Sequence, residues 1–82
     1  MSGEQQQTLD RIEASIEEIK IWLHDRVRNK WFYDRLKSVH VRPTGSYVCG
    51  WGASVRGEFT HVEQDACRAT VAEMQRHFSL RA

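Results

Sequence analysis

From Glu4 to Arg42 the chain carries neither glycine nor proline, and within that run Leu9, Ile12, Ile16, Ile19, Leu23 and Val27 recur at spacings of three and four. That is the period of one helix face. Ser2 with Gln5, or Thr8 alone, supplies a start signal. The pattern predicts a helix over 4–37, with a possible break near Asn29. At about 1.5 Å per residue such a helix spans on the order of 45–50 Å. A chain of 82 residues makes a single domain, 1–82, and its remaining residues build a body narrower than that helix is long. The first turns are therefore expected to overhang the domain and offer Leu9, Ile12, Ile16, Ile19 and Leu23 as the interface of a homodimer.

The middle of the chain changes period. In "SYVCGWGASV" the odd positions Tyr47, Cys49, Trp51, Ala53 and Val55 are apolar, while Val48, Gly50, Gly52 and Ser54 alternate with them. Val39 and Val41 flank His40 in the same rhythm, and "RPTGS" reads as a turn. A five-residue loop over Arg42–Ser46 would pair Val41 with Tyr47 and Val39 with Cys49. A three-residue loop over Arg56–Glu58 would pair Val55 with Phe59 and keep one face apolar. Residues 38–60 thus read as a three-stranded antiparallel meander. "THVE" then offers a capping box, Thr60 with Glu63, and a second helix is expected over 61–78 with Val62, Ala66, Cys67, Ala69, Val71, Met74 and Phe78 as its apolar side. The fold class expected is α+β, in the order α-β-β-β-α.

Within that frame Cys49 and Trp51 point toward the second helix, and Gly50 and Gly52 leave bare backbone on the other face. Glycine inside a strand often marks close approach by another backbone or a ligand. That opposite face, with Ser38, His40, Val48, Gly50, Gly52, Ser54 and Thr60, is small and flat, and suits docking of a partner.

Charge narrows the functional classes. The formal net charge is only +1, so no whole-molecule field draws the protein to nucleic acid or to an anionic membrane. Residues 1–19 hold five acidic side chains against Arg11, whereas 24–42 hold Arg26, Arg28, Lys30, Arg35, Lys37 and Arg42 against Asp25 and Asp34. In "RVRNKWFYDRLK" basic and aromatic residues interleave, a pattern suited to phosphate contact and base stacking. Trp31, Phe32 and Tyr33 lie about 100° apart on a helix and cannot all enter one core.

No apolar run approaches the roughly 18–20 residues of a membrane span, and "MSGEQQQTLDR" does not read as a signal peptide. Two cysteines without a secretion signal suit a reducing cytoplasm, where Cys49 and Cys67 remain thiols even though both face one layer. Cys49, Cys67, His61 and His77 lack the paired spacings of a zinc site, so no metal and no cofactor is expected. No nucleophile elbow, phosphate loop or carboxylate pair occurs, and a domain of this size is expected to have little volume for a pocket, so no catalytic residue is assigned.

The helix–strands–helix order and the stretch "VEQDACRATVAEM" resemble double-stranded-RNA-binding domains, but Val62, Glu63 and Gln64 stand where that family opens its helix with a lysine pair. Its phosphate-binding residues do not carry over, and no family is assigned. In size and style the chain is similar to the small proteins with which phages and mobile elements block host machinery. The expected function is non-enzymatic binding of another protein, as an inhibitor or adaptor that occludes its partner, with Trp31, Tyr33, Arg35, His40, Gly50 and Gly52 as contacts. The alternative is a nucleic-acid-binding accessory protein using Arg26, Arg28, Lys30, Arg35, Lys37 and Arg42.

Overall fold

A computed structural model of the protein describes residues 11–81. In chain order these form β1 (Ile12–Ala14), α1 (Ile16–Arg28), a 3-10 turn (Tyr33–Arg35), β2 (Leu36–Pro43), β3 (Trp51–Gly57), α2 (His61–His77) and β4 (Phe78–Leu80). The fold is α+β, but its strands make two two-stranded sheets rather than one meander. β2 and β3 pair antiparallel, and β1 pairs parallel with β4.

The first helix is much shorter than its periodicity predicts. Ser15 is its cap. Its hydroxyl accepts from the Glu18 N–H at 3.1 Å while the Glu18 carboxylate accepts from the Ser15 N–H at 2.9 Å. This reciprocal box satisfies two of the N–H groups that a helix start leaves without partners. Upstream of it, Ile12–Ala14 is extended because β4 offers a long-range strand partner, which a local pattern cannot register. Leu9 lies outside the described residues. At the other end the Asn29 side chain donates to the Asp25 carbonyl at 3.2 Å, and successive turns lead out of the helix through Lys30 and Tyr33. Those turns let Phe32 swing inward against Phe59, ring centroids 5.2 Å apart, while Trp31 stays 78% exposed. Residues 29–37 therefore do not continue the α-helix, which ends at its cap Asn29.

The hairpin register is also corrected. Val41 pairs with Ala53 and Val39 with Val55, six residues along from the expected Tyr47 and Cys49. An even shift keeps every side chain on its expected face, so alternation alone cannot tell the two registers apart. The observed one joins the strands through a longer loop, closed by Thr44 N–H on the Gly50 carbonyl and Gly50 N–H on the Tyr47 carbonyl, both 3.0 Å. Gly50 there has φ +84°, a conformation that disfavours any residue with a Cβ. Phe59 forms no third strand. The Glu58 N–H instead bonds the Arg35 carbonyl at 3.1 Å.

α2 starts at Thr60, whose hydroxyl and Glu63 form the second capping box. Its buried side is Glu63, Cys67, Thr70 and Met74, a stripe rotated from the purely apolar expectation. Val62 is 77% exposed and Ala69 is also exposed. The rotation follows from Glu63, which is drawn inside by the Arg35 guanidinium at 2.5 Å. α1 packs on β2 and α2 on β3, and the helices touch each other. Ile19, Leu23 and Val27 meet Val39, Trp51, Val55, Cys67 and Met74 in one buried cluster. Trp51 is wholly buried, and its indole N–H donates to the Phe78 carbonyl at 3.1 Å.

Candidate partner-binding cleft

Among the described residues, most of the amino-terminal stripe is absorbed by the molecule itself. Ile19 and Leu23 are fully buried, Ile16 is half-buried, and only Ile12 is well exposed, on β1 rather than on a helix. The overhang that motivated a dimer seam through this stripe is absent from the described residues.

The six expected contact residues do not form one surface. Trp31 lies under the Arg35 guanidinium at 5.6 Å, and Tyr33 sets its ring edge-on to His24 at 5.9 Å. Arg35 is committed to Glu63. Burial pushes the Glu63 carboxyl up, but the Thr60 N–H and Arg35 outweigh it and hold the group below its ordinary value. His40 is exposed on the sheet face away from the helices, opposite Ser54. Gly52, on that same face, is buried because the Tyr47 ring lies across it, 3.4 Å from where a Cβ would stand. The glycine therefore serves the protein's own loop. Gly50 is half-buried beside Leu80.

The basic segment is similarly divided. Arg35 serves Glu63, and Lys37 bridges Glu58 at 3.3 Å. Arg26 and Arg28 are exposed at the end of α1, Lys30 is half-buried, and Arg42 is exposed on β2. Cys49 and Cys67 are buried free thiols, and burial pushes the Cys67 thiol up, away from the reactive thiolate. Among the described residues no group of three His, Cys, Asp or Glu side chains is placed to hold a metal ion, and no helix is long and apolar enough to cross a membrane.

A concave site does exist, contrary to the expectation from size. A cleft of about 750 Å³ runs between β3 and α2. Its strand wall is set by hydrogen-bond parity. The Thr44–Gly50 bond extends the ladder of facing pairs Arg42–Gly52 and His40–Ser54, so the even-numbered residues of β3 bond to β2. The backbone groups of Trp51, Ala53 and Val55 therefore turn the other way; Ala53 and Val55 line the cleft, while Trp51 lies wholly buried at its end beneath Gln75. Pro43, which has no N–H to give, stands opposite Trp51 in agreement with this parity.

The helix wall is one stripe of α2. Gln64 and Gln75 lie at its two ends, with Cys67 and Val71 between them. Gln75 donates its side-chain amide to the Trp51 carbonyl at 2.9 Å, and Gln64 donates to the Val55 carbonyl at 3.2 Å. Ala53, midway, has no protein partner for its outward N–H and C=O among the described residues. Lys37, Arg56 and Arg68 stand on the rim with Glu58. None of the sequence signals pointed to Gln64 and Gln75. Their separation of three helical turns places them on one line, but what they bond is decided by the strand beside them. Comparison with protein-family models, curated proteins and solved structures finds no match to this chain.

Proposed function

We propose that the protein is a non-enzymatic binding module that holds a segment of another protein in the cleft between β3 and α2. The observation that carries this reading is the edge of β3, unpaired with any strand among the described residues, where the backbone groups of Ala53 face an open groove lined by both polar and apolar side chains. Unpaired strand edges are recognition surfaces for polypeptide, because each offers donors and acceptors at the repeat of another strand. The Cys67 thiol is suited to contact rather than chemistry, since burial holds it in its neutral form, and Arg68 is the one charged side chain that α2 contributes to the cleft lining. The basic residues of 26–42 support the nucleic-acid alternative less well, because Arg35 is committed to Glu63 and the others are divided among the end of α1, the turns after it and β2.

The test compares tagged wild type with Ala72→Arg, a substitution at an exposed helix position on the cleft wall that places a long side chain in the groove. Arginine is a good helix former, so folding is preserved. Captured from native cells, at least one protein should be retained by the wild type and lost by the variant. Identical sets in both would overturn the reading. Titration with duplex and single-stranded nucleic acid at two salt concentrations should show no steep salt-dependent binding, and its appearance would favour the basic segment instead.

A further inference from the structure

We infer that the segment held in the cleft is an extended, acidic strand that pairs with β3 at Ala53 and displaces the Gln64 and Gln75 amides. This rests on the proposed protein-binding role of the cleft. A glutamine side chain ends in the same amide that a peptide bond carries. On the Trp51 and Val55 carbonyls, the two side-chain amides stand where the N–H groups of an added strand would donate. They leave the groups of Ala53 open between them. The edge is thus closed at two points by detachable copies of a peptide group and open at the third. An incoming strand restores each of these bonds as it displaces the glutamines, and adds those to Ala53.

Charge selects the occupant. Arg56 has no ion-pair partner among the described residues, Lys37 is shared with Glu58, and Arg68 lies 3.5 Å from Asp65. All three cations border the cleft, against Glu58 as its one acidic lining residue. A second copy of this chain pairing edge to edge would bring the same cations face to face, which is unfavourable. A strand that alternates Asp or Glu with small apolar residues meets both demands. Alternate side chains point to opposite faces of a strand. One set would lie over Cys67 and Val71, and the other would stand beside Arg56 on the outer face.

The experiment measures fluorescence anisotropy of the full chain with labelled synthetic peptides of alternating Val and Glu. Controls are the same peptide with Lys for Glu, and the acidic peptide with alternate backbone nitrogens methylated, which keeps charge and removes donors. The acidic peptide should bind roughly tenfold or more tightly than either control, and Arg56→Glu should weaken it by about tenfold. Ala53→Pro removes an outward N–H without touching the ladder to β2, and should abolish binding. Should that variant fail to fold, the methylated peptide carries the same test. Equal binding of the basic or methylated peptide, or no binding of the acidic one, overturns the proposal. So does a wild-type dimer in sedimentation that Arg56→Glu or Ala53→Pro abolishes, which would make the occupant a second copy. If Ala72→Arg abolishes protein capture yet no acidic peptide binds, the acidic strand falls while the binding role stands. If capture is unchanged, the underlying role falls as well.

Discussion

Leu23→Ala separates an amino-terminal stripe used inside the molecule from one used between copies. Leu23 is 0% exposed and sits in the cluster joining α1 to the sheet. The carbon atoms removed are worth about 2.4 kcal/mol at roughly 0.8 kcal/mol per buried CH2. The cavity left in a packed interior raises the loss to about 3–5 kcal/mol. A chain of this length has a total stability on the order of 4–12 kcal/mol, so the variant should be severely weakened. Its Tm should fall by on the order of 15–25 °C. The control is Ile21→Ala on the same helix, 62% exposed, which should change stability by less than about 1 kcal/mol. The assay is urea denaturation followed by tryptophan fluorescence and far-UV circular dichroism, at two protein concentrations. A Leu23→Ala loss no larger than that of Ile21→Ala would refute the packing described here. A loss that deepens on dilution would place Leu23 between subunits instead.

Two further outcomes are expected. Gly57→Ala should destabilise by about 1–3 kcal/mol, since its Cβ would come within 2.5 Å of both the Arg35 carbonyl and the Phe59 ring, whereas Gly45→Ala, with nothing within 4 Å, should be nearly neutral in the same thermal melt. Glu63 is held below its ordinary pKa in the folded protein, so its contribution is fully present above the unfolded value of about 4.3 and is lost as pH falls through the lower, folded one. Acid titration of stability should therefore be steeper in that window for wild type than for Glu63→Gln, and parallel curves would show that Arg35 and Thr60 do not hold the charged form.

The groups missed by sequence reasoning are those whose role depends on a distant partner. Glu63 reads as a cap three residues after Thr60, and it is one, with a carboxylate oxygen 2.9 Å from the Thr60 N–H. Its burial depends on Arg35, 28 positions earlier, and nothing local announces it. Gln64 and Gln75 read as ordinary polar positions on a helix. They acquire meaning only from the parity of β3, and that parity from a register the alternation left open by an even number of residues. The open Ala53 edge could not be found before the register was known.

What the amino-acid sequence determined by itself is the α+β class, the apolar face of the hairpin and the Thr60 start of the second helix. Each depends on residues within a few positions of one another, where backbone hydrogen bonding and side-chain period act directly. Tertiary structure alone decided that Ile12–Ala14 is a strand, that Ile19 and Leu23 face inward, and that β3 has a free edge beside α2. Those outcomes turn on which distant segments meet, and the free energy of such meetings comes from pairing and burial across the fold rather than from the order of neighbours along it.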